Sequence, residues 1–151
     1  MPANNNPIAL RAATLCLLNE ERTKRGLKAL TAHPQLEKAA QNYTRAMVRE
    51  RFFDHVSPGG STLLSRVRRG TGYLQGARSY ALGENIAWGS GDYATPQETV
   101  KGWMESAGHR SNILSRRFKH IGIGVVPGAP EDAQGMPAAT FTTDFGYRSP
   151  G

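Results

Sequence analysis

Two histidines and two acids stand out because each lies in a short stretch rich in glycine and aromatic residues. His55 lies in RFFDHVSPGG, Glu84 in GENIAWG, and Glu105 and His109 in GWMESAGHRSNIL. Imidazole nitrogens bind divalent metals or transfer protons, and carboxylates orient an imidazole or a bound water. The chain contains no HExxH or paired CxxC motif. The residues alone therefore leave two interpretations open. Either the two histidines and two acids form one shared site, or each side chain forms hydrogen bonds with partners of its own elsewhere in the fold.

Glu84 is the acid whose local sequence says most about its environment. Alternate residues of an extended segment share a face, so Glu84, Ile86 and Trp88 point the same way. The two apolar side chains favour burial of that face, which draws the carboxylate inward. An unpaired buried charge is costly, so we expect Glu84 to have a partner. Asn85, and Asn112 in the third stretch, have side chains suited to holding loops by hydrogen bonds.

The stretch around His55 has the composition of a loop. Phe52 and Phe53 precede His55, and we expect both aromatic rings to anchor the loop while the imidazole points elsewhere. The sequence SPGG that follows is typical of a tight turn. Three serines lie near the histidines of these motifs and are candidate nucleophiles: Ser57, Ser61 and Ser106. None of them lies in a GxSxG nucleophile elbow, so this interpretation is weak.

Hydrophobic periodicity predicts helices in the first two thirds of the chain and strands in the last third. His33, beside Pro34 at a predicted helix start, is expected to act as a cap or to lie on the surface, and His120 is expected on the surface. The two predicted strands flank a turn-rich connection, so they pair most simply antiparallel. This order favours an α+β layered domain. The predicted helices span 8–25, 34–51, 61–70 and 96–106, and the strands 121–126 and 139–147.

The chain of 151 residues has the length of one domain. We expect residues 1–7 to form a loose polar leader and residues 8–151 to form the domain. No apolar run approaches the roughly 20 residues that a membrane helix needs, and MPANNNPIAL lacks the pattern of a signal peptide. The single cysteine, Cys16, excludes an internal disulfide framework and is expected to be a buried, inert thiol; an intermolecular disulfide stays open.

The net charge is +7, with 14 Arg against 5 Lys. Such a surface favours anionic partners: nucleic acid, acidic cell-wall polymers or phospholipid head groups. The basic runs RVRR and RRFKH are short and are not interleaved with aromatic residues, as single-strand binding platforms require. Nucleic acid is therefore not the expected partner, and a solvated basic surface is the simpler interpretation.

Taken together, FDHVSPGG, GENIAWG and GWMESAGHRSNIL followed by FKHIGIGV, in that order, resemble the CAP superfamily. This superfamily includes the cysteine-rich secretory proteins, antigen 5 and the plant pathogenesis-related 1 proteins. The compact third motif, the opening LLNEERTKRGLKAL and the closing TFTTDFG are similar to the bacterial SCP-like type. The resemblance spans residues 12–147, which is nearly the whole chain.

The resemblance implies a three-layer α-β-α sandwich with a central, mainly antiparallel sheet. It also implies a cleft in which two histidines and two acids converge, at positions matched here by His55, Glu84 and His109. The second acid of the family commonly lies three residues after the helix tryptophan, where this chain has Ser106. Glu105 lies one position earlier, and one residue on a helix rotates a side chain by about 100°. Both Glu105 and Ser106 are therefore candidates for the cleft.

The function implied by the resemblance is that of an exported bacterial domain, secreted or on the cell surface, and monomeric. Its cleft would bind a divalent metal, expected to be Zn²⁺ between His55 and His109, and a lipid or cell-envelope ligand. Catalysis is not the favoured interpretation. One alternative is a metal-dependent peptidase or esterase with Glu84 as general base. Another is a basic module that binds an anionic polymer.

Overall fold

The computed structural model describes residues 6–150 and shows one sheet of four strands with helices on both faces. Each predicted helix and strand is present, although the bounds differ by a few residues. The helices are α1 (Pro7–Thr23), α2 (Pro34–Glu50), α3 (Leu63–Gly70), α4 (Pro96–Met104) and α5 (Ala107–Ile113), and the strands are β1 (Thr31–Ala32), β2 (Tyr80–Ser90), β3 (His120–Pro127) and β4 (Ala138–Arg148).

The sheet has the strand order β1-β3-β4-β2. The predicted hairpin of β3 and β4 is antiparallel, and β2 pairs antiparallel with β4 along its whole length. Only the short β1 runs parallel to its neighbour, β3. The expectation of a mainly antiparallel sheet is confirmed. β2 is an edge strand, so one of its two backbone edges faces away from the sheet.

The two faces of the sheet are covered by different helices, which confirms the three-layer α-β-α sandwich. On one face, Leu18 of α1, Trp103 of α4 and Ile113 of α5 pack in a single core with Phe141 and Phe145 of β4. The opposite face is covered by α2 and α3, where the apolar contacts form two smaller clusters. Their central members are Leu36, Val67 and Tyr73 in one cluster, and Tyr43, Met47 and Ile86 in the other.

Glycines of β3 allow α2 to lie directly on the sheet. A Cβ atom added at Gly122 would overlap the backbone of Leu36, and one added at Gly124 would lie 2.5 Å from the Ala40 carbonyl oxygen. The hydroxyl of Thr44 bonds to that of Thr142 across the same interface, at 2.8 Å. This close approach fixes the position of α2 and therefore of the side chains that it holds over β2.

Two expectations, one about the leader and one about Cys16, differ from the structure. α1 begins at Pro7, with Asn6 as its side-chain cap, so it starts inside the expected leader; residues 1–5 lie outside the described residues. Cys16 is exposed, and the prediction of a buried thiol is wrong. The reason is that the buried face of α1 carries Thr14 and Leu18. Cys16 is two positions from each of them, and two positions on a helix turn a side chain by about 200°.

Two histidines lie together on the face covered by α2. His33 caps α2 as expected, since its Nδ1 accepts from the backbone N–H of Gln35 at 3.1 Å. His120 is half-buried rather than on the surface, because its Nδ1 shares a hydrogen bond of 2.8 Å with the buried Tyr73 hydroxyl. In the described part of the chain, no helix is both long and apolar enough to span a bilayer.

The close contact between α2 and β3 predicts a large stability difference between two glycine substitutions. Gly122→Ala should lower the free energy of unfolding by about 2 kcal/mol or more, because backbone of α2 must move. Gly102→Ala in α4, where an added Cβ meets nothing within 4 Å, should be neutral or stabilising by about 0.5–1 kcal/mol. Urea denaturation followed by circular dichroism measures both; equal stabilities of the two variants would contradict the packing described.

Candidate functional site

The Glu84 carboxylate lies at the centre of a buried group of polar side chains between β2, α3 and the loop after α2. Its side chain is 2% exposed. Arg66 donates from Nη2 to both carboxylate oxygens, at 3.1 and 2.9 Å, and His55 Nδ1 lies 2.9 Å from Oε1. The expectations that Glu84 is buried and that it has a partner are both confirmed.

Arg66 joins three segments of the site. Its Nη1 donates to the carbonyl oxygens of His55 at 2.9 Å and Ser61 at 3.1 Å, and its guanidinium stacks 3.4 Å over the ring of Tyr43. Only 11% of its side chain is exposed. Breaking a buried ion pair of this kind by removing one partner is strongly destabilising. Arg66 therefore fixes the His55 loop against Glu84.

Asp144 lies directly across the sheet from Glu84 in the β2–β4 pairing and is completely buried. Neither of its carboxyl oxygens accepts a hydrogen bond from a described donor. Its carboxyl group is close enough to the Glu84 carboxylate for the two charges to interact. Two ionised carboxylates repel each other, so one of the two acids keeps its proton. Arg66 and His55 contact Glu84, so Glu84 is the ionised acid and Asp144 the protonated one.

The protonation states follow from the surroundings of the two acids. Burial, and then the charge of Glu84, raise the pKa of Asp144 well above its ordinary value. Burial also opposes ionisation of Glu84, but the hydrogen bond from His55, the neighbouring protonated Asp144 and the charge of Arg66 together hold the pKa of Glu84 below its usual range. The site thus contains one carboxylate, balanced by one guanidinium, and one neutral acid.

His55 presents its ring at the rim of this group. Because the ionised Glu84 can only accept, Nδ1 of His55 carries the proton that joins them, and Nε2 is the nitrogen free to meet a ligand. The side chain is 52% exposed. The hydrogen bond to Glu84 raises the pKa of His55, although burial opposes this.

The loop that carries His55 is held by one of its two aromatic residues. Arg51 ends α2 in a left-handed conformation, with φ of 59°. Phe52 then packs edge-on against Tyr43, with ring centroids 5.7 Å apart, and the Tyr43 hydroxyl donates to the Asp54 carbonyl oxygen. The expected anchoring role is confirmed for Phe52. It is wrong for Phe53, which is 44% exposed.

His109 reaches the site from the opposite side of β2. Its backbone carbonyl oxygen accepts from Asn85 Nδ2 at 3.1 Å, and Asn112 Nδ2 donates to the Glu84 carbonyl oxygen and to Asn85 Oδ1. The expected roles of both asparagines are thereby confirmed. Burial, and then the charge of His55, lower the pKa of His109. The two imidazoles therefore belong to one electrostatic environment but have pKa values shifted in opposite directions.

Ser106, not Glu105, contacts the histidine of the third motif. Ser106 Oγ lies 2.8 Å from His109 Nδ1. Glu105 is an exposed residue at the C-terminal cap of α4, and its carboxylate forms no hydrogen bond or ion pair with a residue between 6 and 150. The placement of Glu105 in the cleft is not what the structure shows. The reason is that α4 ends at Met104 and α5 begins separately at Ala107.

Two cavities lie along β2, one lined by His109 and the other by Ser111 and Asn112 of α5. Trp103 Nε1 donates to the Ile86 carbonyl oxygen at 3.2 Å, next to the bond from Asn112 to Glu84. One cavity of about 360 Å³ extends from His109 towards the end of β2. Another of about 740 Å³ extends from Asn112 towards the start of β2.

The donor set does not fit a catalytic zinc centre. Between residues 6 and 150 no three His, Cys, Asp or Glu side chains converge to hold a metal ion. Glu84 is engaged by Arg66 and His55, so the cleft offers at most two imidazole nitrogens, whereas catalytic zinc usually has three protein ligands. Zn²⁺ between His55 and His109 therefore stays a prediction, limited to those two ligands.

Two members of the site were not found from the sequence. Arg66 lies in the run RVRR, which has the composition of a solvated patch, but it follows Leu63 by three positions and so lies near the buried face of α3. Asp144 is the only charged residue in TFTTDFGY. A single acid in a predicted strand that is otherwise uncharged could have indicated a buried carboxyl group with a perturbed pKa.

The protonated state of Asp144 predicts how stability depends on pH. A folded-state pKa above the unfolded value means that the folded state binds the extra proton, so stability falls as pH rises above about 4. Asp144→Asn removes this loss, because the amide has nearly the same shape as the protonated acid and does not ionise. As the pH rises, the free energy of unfolding of the variant should increase relative to that of the wild type, by up to about 1.4 kcal/mol per pH unit. Urea denaturation from pH 4 to 8 measures this; a difference that does not change with pH would show that Asp144 is ionised.

Comparisons with known proteins agree with this architecture. A family model described as the cysteine-rich secretory protein family, CAP, matches residues 15–144. The uncharacterized protein YkwD of Bacillus subtilis is 43% identical over 111 residues, which cover 73% of this chain and 40% of YkwD. The uncharacterized membrane protein YlbC of the same organism is 33% identical, over 74% of this chain and 30% of YlbC. The chain thus spans less than half the length of these two relatives.

Solved structures show the same fold. An extracellular protein containing an SCP domain from Bacillus anthracis has 27% sequence identity and a TM-score of 0.74, over 92% of this chain and 40% of that protein. An outer surface protein of Borrelia burgdorferi is 22% identical with a TM-score of 0.67, over 89% and 90% of the two chains, and supports the fold alone. The chain belongs to the cysteine-rich secretory protein (CAP) family, and its domain is of the bacterial SCP-like type.

Proposed function

We propose that this chain works outside the cytoplasm as a binding domain for a component of the cell envelope. In this proposal His55 and His109 contact a polar group of the ligand directly. The observation that carries the proposal is the state of His55: its ring is half-exposed, yet its Nδ1 is held at 2.9 Å by a carboxylate that is almost completely buried. A surface histidine with no function needs no such support.

The buried polar group is better explained by positioning than by stability. Taking the charges of Arg66 and Glu84 out of water costs free energy, and their mutual attraction offsets this cost only in part. Apolar residues of similar volume often stabilise the folded state at least as well as a buried ion pair does. The protonated Asp144 adds a further buried polar group. Perturbed ionisable groups at the rim of a cleft are typical of functional sites. The group fixes the direction and tautomer of the His55 ring.

The two imidazoles offer different chemistry to a ligand. The raised pKa of His55 favours its cationic form in mildly acidic surroundings, where Nε2 donates a hydrogen bond. The lowered pKa of His109 favours the neutral form, which has one donor and one acceptor nitrogen. A ligand with hydroxyl or amide groups, which both donate and accept, matches this pair better than a purely anionic ligand does.

Binding is favoured over hydrolysis because neither hydrolytic route is complete. The metal route has no third protein ligand within the described residues. In the serine route, Ser106 contacts His109, but the acid Glu84 orients His55 instead, so no serine–histidine–acid series forms. Ser57 and Ser61 bond to each other at 2.8 Å and close the loop. Turnover of peptide or ester substrates that is lost in Glu84→Gln would favour the hydrolase.

Export is proposed from the family and from one structural relative. The Bacillus anthracis protein is described as extracellular. A monomer and an envelope ligand are the matching expectations. The basic surface, with its net charge of +7, would assist approach to an anionic envelope without providing specificity. Nucleic acid remains outside the proposal.

Co-sedimentation with two envelope preparations tests the proposal: insoluble Bacillus cell-wall sacculi and phosphatidylglycerol vesicles. The wild type should bind at least one of them, and His55→Ala/His109→Ala should weaken binding by about tenfold or more, the range expected when an anchoring contact is lost. Glu84→Gln should weaken binding because it frees the His55 ring. Glu105→Gln, at an exposed position outside the cleft, is the matched control and should bind like the wild type.

The same experiment with EDTA separates direct contact from a metal bridge. Binding that persists in EDTA agrees with direct contact by the imidazoles, whereas binding that EDTA abolishes and Zn²⁺ restores would establish the expected metal centre. Wild-type protein that binds neither preparation, or a double variant that binds like the wild type, would contradict the proposal. Circular dichroism melts confirm that each variant is folded.

A further inference from the structure

We infer that the ligand is a linear glycan whose sugar rings lie along the outer edge of β2, on both sides of His109. This inference rests on the proposed function and adds the chemical class of the ligand. It follows from the aromatic residues, the unpaired polar groups and the unfilled space in the cavity beside His109.

Aromatic rings line the cavity of about 360 Å³. Trp88 is half-buried, and Tyr93 is 70% exposed in the short turn that follows β2. Gly89 allows this turn to lie against the strand, because a Cβ atom there would overlap the backbone of Tyr93. Aromatic side chains that line a cavity are typical of ligand-binding sites. The C–H face of a pyranose ring packs on such surfaces, while its hydroxyl groups stay available for hydrogen bonds.

Polar groups in the same cavity have no partner within the described residues. The half-buried Glu98 carboxylate forms no hydrogen bond or ion pair there, and the indole N–H of Trp88 forms no hydrogen bond. His109 and Ser106 close the other end of the cavity. A carboxylate accepts, an indole donates and an imidazole does both, so the cavity matches hydroxyl groups that donate and accept.

Gly102 keeps this cavity open. It lies within α4 and lines the cavity, and an added Cβ would meet nothing within 4 Å. Glycine within a helix is less favourable than alanine, and here neither packing nor a positive φ requires it. A larger side chain at this position would extend into the space beside Trp103. A ligand in the cavity beside Trp103 would explain why this helical position has glycine in place of a better helix former.

The cavity of about 740 Å³ suits further sugar units. Its lining includes hydroxyl groups, an amide and a guanidinium, contributed by Thr62, Tyr80, Ser111, Asn112 and Arg117. Both cavities open along β2, which has 11 residues and is therefore about 36 Å long. A linear polymer fits two cavities on one strand edge, whereas a single small molecule would occupy only one of them.

Two other classes of ligand fit this edge less well. A peptide that added a strand to β2 would need free backbone acceptors, but the carbonyl oxygens of Glu84 and Ile86 already accept from Asn112 and Trp103. An acyl chain would leave the Glu98 carboxylate beside hydrocarbon without a partner, which is costly. The glycan is the class that satisfies both the aromatic and the polar lining.

NMR titration with triacetylchitotriose and with cellotriose tests the inference directly. At least one of these sugars should shift the indole resonance of Trp88 and the ring resonances of His109. The expected dissociation constant is about 1 mM, which corresponds to a binding free energy of about −4 kcal/mol. Gly102→Leu and Tyr93→Ala should each weaken binding by about tenfold or more. Gly108→Leu is the matched control, since an added Cβ there also meets nothing within 4 Å and Gly108 lies outside both cavities.

Three outcomes would overturn the inference: no shift with either sugar, equal binding by wild type and Gly102→Leu, or phosphatidylglycerol vesicles that bind in a Gly102→Leu-sensitive manner in place of sugar. The result also separates this inference from the proposed function. If sacculi or vesicles bind in a manner that needs His55 and His109 but neither sugar shifts these resonances, the ligand class is wrong and the binding function stands.

Discussion

The site depends on one interaction, the buried contact of Glu84 with Arg66 and His55. Three separate segments meet at this carboxylate: the loop after α2, the helix α3 and the strand β2. Asp144 completes the group from the neighbouring strand as a buried, protonated acid opposite Glu84. The contact sets the direction of the His55 ring, its tautomer and the sign of its pKa shift. The remaining parts of the cleft are arranged around that ring.

The rest of the fold supplies the rigidity that this arrangement needs. α2 lies directly on the glycines of β3, so Tyr43 is fixed under the guanidinium of Arg66. On the other side of β2, Asn85, Asn112 and Trp103 hold α4 and α5 against the strand edge. The edge carbonyl oxygens that these bonds occupy are no longer available to another strand, which protects β2 from edge-to-edge pairing. The same bonds present His109 to the cleft.

The sequence was sufficient for α1 to α4, β3 and β4, and alternation along GENIAWG placed Glu84 on a buried face. It did not predict α5 or the short β1, and β2 was recognised only as the extended segment GENIAWG. The partners of Glu84 depend on contacts between distant segments, which no local pattern contains. Arg66 was therefore assigned to a basic surface, and Asp144 was not recognised. The choice between Glu105 and Ser106 depended on where α4 ends, and a break of two residues changes which side chain meets His109.

The most direct measurement of the central claim is an NMR titration of the histidine ring nitrogens in the wild type and in Glu84→Gln. The structure predicts that His55 carries its neutral-form proton on Nδ1 and titrates above the ordinary value of about 6.5, while His109 titrates below it. In Glu84→Gln the pKa of His55 should fall towards the ordinary value. A His55 pKa that is ordinary in the wild type and unchanged in Glu84→Gln would contradict the account.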